Sequence, residues 1–564
     1  MQRRVVLAVV VVLVAIQAVL LIRTARDKSD TWDEPDYVTE AGTLWVHGDR
    51  GTVAFLPKWG FALAMRLSSD DITRTPEDPQ TLEFYGTHLK LWKQMTVEGR
   101  ERALFAARLA TIVITLLGGL MLWRTATRWG PDAGWIALVL WVFSPTVLAN
   151  GCLATMDAWV AVTVVGVIYA LVRALERPTA TRAAVLGVAM AAAAATKITA
   201  LGVCPFALIL FVVARARAGA GARQIAAHVG AVVAGGFLAL WAMYRFTFGV
   251  VERLDHAPLG PLPFPAWWQY TLKLLSRFDE SQYTYFMGET IWHGSPWFYA
   301  VGVAVKTTIG AQVLALARLV LVGVRQPDGK TLRRELTIDA LLLVYPVLLF
   351  VAMSRGESQA NIMYILPAFP FVMLWLSRIA VDATRVFGAR GRVVIGVLLF
   401  AGAVESVSVH PHHLMFFNRW AGGPAGGWRY LIDRDDWGQD KKRLGAWQRE
   451  HGVAEVFYKP HGEDYETWGV RPAPIPCAPT PGVYAIHADV LLVEMPEMWG
   501  GMPKGCLNWL SIEPPDERLG WSIWIWRVDE ARIARLAAKA DDDRVVPWRE
   551  AHLNLLDRID RYLR

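Results

Sequence analysis

Residues 5–22, 103–123 and 228–248 each run for about 18–21 residues with almost no charge, enough to cross a hydrocarbon core of ~30 Å as a helix. No water-soluble core of this size hides several such runs. The feature therefore excludes a soluble globular enzyme, a disordered chain and a fibrous repeat. Composition agrees: 54% of the 564 residues are hydrophobic and 19% are charged, against roughly 45–50% and 25% in soluble domains. The net charge of +7 is dispersed between the apolar runs, so no nucleic-acid footprint is indicated.

Further apolar runs lie at 134–150, 157–175, 183–196, 199–215, 297–321, 338–353, 362–378 and 393–409. With 229–248 ending the third long run, this gives roughly eleven spans, some of them short. The first run exceeds the apolar core of a signal peptide and lacks a small-residue cleavage site. Arginines and lysines of short loops orient the chain. Arg3 and Arg4, Arg124 and Arg128, Arg173 and Arg177, Arg215 and Arg217, Arg333 and Arg334, and Arg385 and Arg390 all fall on one, cytoplasmic, face. The odd span count places the C-terminus outside.

The expected fold is an all-α polytopic membrane protein, residues 1–409, followed by an extracytoplasmic α+β domain, residues 410–564. Two outer loops, 23–102 and 249–296, interrupt the spans. The second is dense in Trp, Phe and Tyr, which favour the membrane interface, so it is expected to lie along the surface. Strand-like alternation marks 453–458, 483–493 and 521–528 in the tail.

Candidate chemistry clusters on the outer side. Asp33-Glu34 lies about ten residues past the first span, where a carboxylate can act as a general base; spacing alone also reads as a solvated acidic turn. Asp157 sits at the outer mouth of the fourth span, where helix capping is the bland reading. Lys197, Lys306 and Arg355 lie near the outer side, as snorkelling side chains or as partners of an anionic group such as a lipid phosphate. Lys306 falls roughly 13 Å into its span if the helix is continuous. His410-Pro411-His412-His413 has no carboxylate or cysteine spaced to complete a metal site. Cys477 and Cys506 both fall in the outer tail, where a disulfide can persist; spacing leaves the pairing open.

Several motifs, in order along the chain, carry a resemblance. They are Asp33-Glu34, Ala107-Arg108-Leu109, Ser144-Pro145 through Thr155-Met156-Asp157, and Thr196-Lys197. Further on come Tyr285-Phe286-Met287-Gly288-Glu289, Lys306-Thr307, Tyr364-Ile365-Leu366-Pro367 and Asp436-Trp437-Gly438-Gln439-Asp440. The chain resembles the phospholipid-carrier-dependent glycosyltransferases of family 39, C-type enzymes that include the protein O-mannosyltransferases and the aminoarabinose transferase of lipid A. It departs from the family pattern at Phe55-Leu56-Pro57-Lys58, at Met363 and at Asp433-Arg434.

The resemblance implies an integral protein of the bacterial plasma membrane. It would transfer a hexose or pentose, with inversion, from a polyprenyl-phosphate-linked donor to an extracytoplasmic acceptor. Catalysis would fall to Asp33, Glu34 and Asp157, with Asp33 the base. The donor phosphate would be held by Lys58, Lys197, Lys306 and Arg355, with Tyr364 a weaker contact. No cofactor is required by this reading, and a divalent metal is allowed but not indicated. Two other readings remain: a transporter or flippase of a lipid-linked sugar, and a non-catalytic envelope assembly partner.

Overall fold

The computed structural model describes residues 3–47, 55–68, 92–93, 95–252, 258–276, 283–322, 329–359, 361–431, 435–459, 465–493 and 506–540. The apolar runs lie for the most part on helix. In lipid only a helix satisfies each backbone N–H and C=O within its own segment, so the runs adopt that form. The helices are α1 (Arg3–Asp27), α2 (Glu34–His47), α3 (Phe55–Leu67), α4 (Val97–Ala126), α5 (Pro131–Val142), α6 (Pro145–Asn150), α7 (Asp157–Glu176) and α8 (Ala180–Ala194). There follow α9 (Val203–Arg217) and α10 (Ala222–Met243). Among the described residues seven helical stretches are long and apolar enough to span: Arg4–Asp27, Val97–Trp129, Asp157–Glu176, Ile198–Arg217, Ala222–Met243, Glu335–Arg355 and Ile362–Phe387.

The segment after α10 forms a hairpin of β1 (Phe248–Glu252) and β2 (Pro258–Pro263), then α11 (Pro265–Ser276) and a second hairpin of β3 (Thr284–Phe286) and β4 (Glu289–Ile291). Next come α12 (Phe298–Lys306) and α13 (Ile309–Val322), bent by 112° against each other. The apolar run 297–321 suggests one continuous helix; it breaks at Thr307-Thr308 instead. Side chains take up the freed backbone groups, as such a break inside apolar surroundings requires. Asn418 Nδ2 donates to the carbonyls of Ala304 and Thr307, and Glu405 accepts from Ile309 N–H. The remaining helices before the tail are α14 (Gly329–Arg355), α15 (Phe369–Ser377), α16 (Ile379–Phe387) and α17 (Ala389–Val407).

The helix core is built from α4, α5, α7, α8 and α15 around Trp141, Val160, Val164, Leu186, Phe371 and Leu374. Small residues let two helices approach closely, as in membrane packing generally. On α8, a side chain at Gly187 would collide with the Val232 carbonyl of α10.

The tail folds around a five-stranded sheet ordered β6-β5-β7-β9-β8. Its elements are α18 (Lys441–Glu450), β5 (Val456–Tyr458), β6 (Pro472–Ala473), β7 (Gly482–His487), α19 (Ala488–Leu492), β8 (Glu517–Leu519), β9 (Ile523–Val528) and α20 (Glu530–Ala540). β5 runs parallel to β6 and β7, whereas β7, β9 and β8 are antiparallel. Alternation in β7 and β9 sends Tyr484, Ile486, Trp524 and Trp526 to one face and Ala485, Ile523 and Ile525 to the other, and both faces are covered. The strand expected to reach residue 493 stops at His487; Ala488–Leu492 turns helical. Cys477 and Cys506 form a disulfide.

Candidate functional site

The polar residues of the first outer loop are gathered by one arginine. Arg108, buried in α4, uses all five N–H donors. Nε and Nη2 bind the two oxygens of Glu34 at 2.8 and 2.6 Å. Nη1 donates to the carbonyls of Ala25 and Lys28, and Nη2 to that of Ser29. The Glu34 carboxylate also accepts from the backbone N–H groups of Thr31 and Ala154, at 2.9 and 2.7 Å. Burial pushes the Glu34 carboxyl up, but Arg108 and these N–H groups outweigh it and hold it below the usual range. The Glu34 oxygens face inward onto Arg108, Thr31 and Ala154, so this carboxylate pins the loop.

The other face of the same loop is clasped by the tail. Ser29 N–H donates to the Gln439 carbonyl and Trp32 N–H to the Trp437 carbonyl, both at 3.0 Å. Ser29 Oγ donates to the Gly438 carbonyl and accepts from Lys441 N–H. Lys28 binds Asp440, and Lys441 binds Asp30 at 2.9 Å. Burial would raise the Asp440 carboxyl, but Lys28 and Ser522 hold it below its ordinary value. The Asp436–Asp440 motif therefore works by ordering the loop that carries Asp33.

Asp33 immediately precedes α2 and is half-buried, with the Tyr37 hydroxyl donating to it at 3.4 Å. Asp33, Asp36 and Glu40 recur at the spacing that shares one helix face. Burial, with the charges of Asp33 and Glu40, pushes the Asp36 carboxyl up to about 7. Lys58, from α3, binds Glu40. On the opposite side Asp157 occupies the first turn of α7, 4% exposed, and accepts from Lys197 at 2.8 Å. It is not the helix cap, a position held by Met156. The Lys197 ammonium lies 5.0 Å from the centre of the Tyr364 ring. Tyr270 of α11 closes the arrangement, its hydroxyl 3.8 Å from the Met156 sulfur. Burial first, then Glu40 and Asp157, raise the Tyr270 phenol above its ordinary value.

Asp33, Lys58, Asp157, Lys197 and Tyr364 thus lie on the elements that enclose this outer mouth. Lys306 is drawn elsewhere. It binds Asp435 at 2.7 Å and the Leu414 carbonyl, and lies over the Phe417 ring. Asn361 donates to the same Asp435. Burial raises the Asp435 carboxyl although Lys306 and Asn361 oppose it. Arg355, at the end of α14, is exposed. Sequence reasoning assigned no role to Arg108, Asp36, Glu40, Tyr270 or Asp435. The 33/36/40 spacing and an arginine inside an apolar span were the available signals for three of these; nothing local marks Tyr270 or Asp435.

Among the described residues two groups bring three potential metal ligands together: Asp27, His412 and Asp440, and Asp436, His487 and Asp489. In the first, the Lys28 ammonium lies 2.5 Å from His412 Nδ1 and 2.5 Å from Asp440. Burial, with Lys28, pushes His412 down to about 4, so its imidazole is neutral at pH 7 and accepts from Lys28. In the second, His487 engages Asp436 at 3.0 Å and the Tyr458 hydroxyl at 2.8 Å. A metal at either place must displace these partners.

Two outcomes follow from the mouth. If Lys197 holds the phosphate of a donor, Lys197→Met removes a charge-assisted contact worth roughly 1.5–3 kcal/mol, and the donor should bind about 10- to 150-fold more weakly, measured by equilibrium binding. Asp36 binds its proton in the folded state up to about pH 7, whereas an unfolded Asp releases it near ~3.9. Stability should therefore fall as pH rises through that window. Asp36→Asn should flatten the decline, read as melting temperature in detergent from acid to neutral pH.

Residues 95–248 match the sequence profile of the dolichyl-phosphate-mannose-protein mannosyltransferases. That stretch contains Arg108, Asp157 and Lys197, and over it the family resemblance read from the sequence holds. No curated protein sequence matches the chain. Among solved structures, ArnT from Cupriavidus metallidurans bound to undecaprenyl phosphate is similar at 15% identity, with a TM-score of 0.44, over 75% of this chain and 69% of that one. Its apo state aligns over 92% and 97%, at 13% identity and a TM-score of 0.43. The archaeal oligosaccharyltransferase AglB from Archaeoglobus fulgidus, in complex with an inhibitory peptide and a dolichol-phosphate, gives 11% identity and a TM-score of 0.39 over 83% and 60%.

Proposed function

We propose that the chain transfers a sugar from a polyprenyl phosphate to an acceptor on the extracytoplasmic side. The observation that carries this reading is the outer mouth, where Tyr270 lies near both Glu40 of the acidic face of α2 and Asp157, which pairs with Lys197, within a helical membrane scaffold. In the proposed reaction the acceptor oxygen attacks the anomeric carbon and its proton passes to Asp33. The bond from that carbon to the lipid phosphate breaks, the electron pair leaves with the phosphate, and configuration inverts. Lys197 and Lys58 lie beside carboxylates and are placed to exchange them for phosphate oxygens. An apolar groove of about 460 Å³, lined by Phe143, Val303, Pro346, Phe350, Phe369 and Leu399, offers room for part of an isoprenoid chain.

Eleven spans are proposed, with the N-terminus cytoplasmic and the tail outside. The count adds to the seven long helices α5, α8, α17 and the bent pair α12–α13. The decisive experiment is transfer of radiolabelled sugar from a panel of polyprenyl-phosphate sugars to a cell-envelope fraction, with the protein in nanodiscs. Labelled product from one donor is expected. Bound donor with no transfer to any acceptor fraction, together with donor passage across proteoliposomes, would assign transport instead. A Glu450→Cys protein should label from outside on intact cells, since that residue is exposed on α18.

A further inference from the structure

Helix α10 does not simply end at the outer surface. Arg245 and Phe246 take positive φ values of 55° and 56°, a conformation that side chains with a Cβ rarely hold without support. The support is visible. Phe246 N–H donates to the Trp241 carbonyl at 2.8 Å, and Trp241 Nε1 donates to the Thr247 carbonyl at 2.9 Å. The turn is therefore held, and it fixes the direction in which the β1–β2 hairpin leaves the helix.

That hairpin presents an uncovered apolar face. The register pairs Phe248 with Pro263 and Val250 with Pro261, so these side chains share one side. Phe248 is 61% exposed and Val250 60%. The face is continuous with the flank of α10: Phe237, 41% exposed, contacts Trp241, and Trp241 contacts Phe246, with ring centres 5.6 and 5.5 Å apart. Val233 and Leu238 extend the same exposed apolar surface down the helix. A ladder of aromatic rings thus joins a span-length helix to the hairpin. Patches of this kind on a protein surface mark an interaction site.

A strand from another protein is a poor occupant. β2 carries Pro258, Pro261 and Pro263, none of which has an N–H to offer a partner strand. We infer that the occupant is the lipid of the outer leaflet, and that the hairpin face of Phe246, Phe248 and Val250 is embedded in the boundary between head groups and acyl chains. Interfacial elements of this type lie about 5–10 Å into that boundary. The consequence reaches the candidate site, because β2 leads directly into α11. Trp267 Nε1 of that helix bonds the Ala194 carbonyl, and Tyr270 packs on Met156. Lipid depth and the position of α11 over the mouth are mechanically joined.

This inference rests on α10 crossing the membrane, and the experiment separates the two. The free cysteines are Cys152 and Cys204. In a Cys152→Ala, Cys204→Ala background, Phe248→Cys, Leu238→Cys and Glu450→Cys proteins are each labelled with nitrobenzoxadiazole and placed in nanodiscs. The lipids carry a nitroxide at the head group or deep in the acyl chain. Expected are blue-shifted emission at 248 quenched most by the shallow nitroxide, quenching at 238 by the deeper one, and neither at 450. Water-like, unquenched emission at 248 with 238 still quenched overturns the inference alone. Blue-shifted but unquenched emission at 248 that reddens on dilution assigns the face to a second copy and also overturns it. Loss of quenching at both 248 and 238 removes the membrane reading of α10 itself. Val250→Cys repeats the test should the Phe248→Cys protein fail to fold.

Discussion

Asp33→Asn is expected to lower sugar transfer by about 10²–10⁴-fold, the usual contribution of a positioned general base. The change keeps the size of the side chain and leaves an oxygen for the Tyr37 hydroxyl to bond. It leaves Glu34, Arg108 and the tail clasp untouched, so the protein should insert, keep its melting temperature and bind donor as before. Asp33 is suited to the task because it is half-buried at the start of α2, where the Tyr37 hydroxyl donates to it. Its charge, with burial and Glu40, pushes the neighbouring Asp36 carboxyl up to about 7. Turnover with radiolabelled donor, followed beside donor binding, checks the outcome. Full activity of Asp33→Asn would move the base to Asp157 or Asp36.

The second large effect is on stability rather than turnover. Removing one partner from a buried ion pair costs about 3–5 kcal/mol, because the remaining charge is left without compensation. Glu34→Gln should therefore lower the melting temperature and the yield of folded protein, and Arg108→Met should do so more severely, since three backbone carbonyls lose their donors as well. Arg108→Lys should not rescue: an ammonium has three donors on one point, against five in a planar fork. Size-exclusion profiles in detergent and thermal melts read the result. A Glu34→Gln protein that melts like wild type yet turns over slowly would return Glu34 to the chemistry.

The membrane helices were legible in the sequence because length and lack of charge suffice to specify them. Runs such as 103–123 and 157–175 lie within α4 and α7. The break at Thr307-Thr308 was not legible, because its cause lies in Asn418 and Glu405, about a hundred residues onward. The same holds for charge pairing. Lys306 reads as a cation free to meet phosphate until Asp435 is folded against it. Asp33 and Glu34 are indistinguishable as neighbours in sequence, and only the position of Arg108 sends one inward. What local pattern could show, and the sequence reading passed over, was the shared helix face of Asp33, Asp36 and Glu40.

The clasp on residues 28–32 also sets a clock. Ser29 and its partner at Gly438 are separated by 409 positions. At synthesis rates of roughly 5–20 residues per second, the Asp33 loop is delivered some tens of seconds before the segment that orders it. During that interval Arg108 can already gather Glu34, because α4 follows within a hundred residues, but Lys28, Ser29 and Asp30 have no tail to bind. The clasp forms only after residues 437–441, which follow the spans, have emerged. A chain arrested after the spans would sit in the membrane with its Asp33 loop half-held.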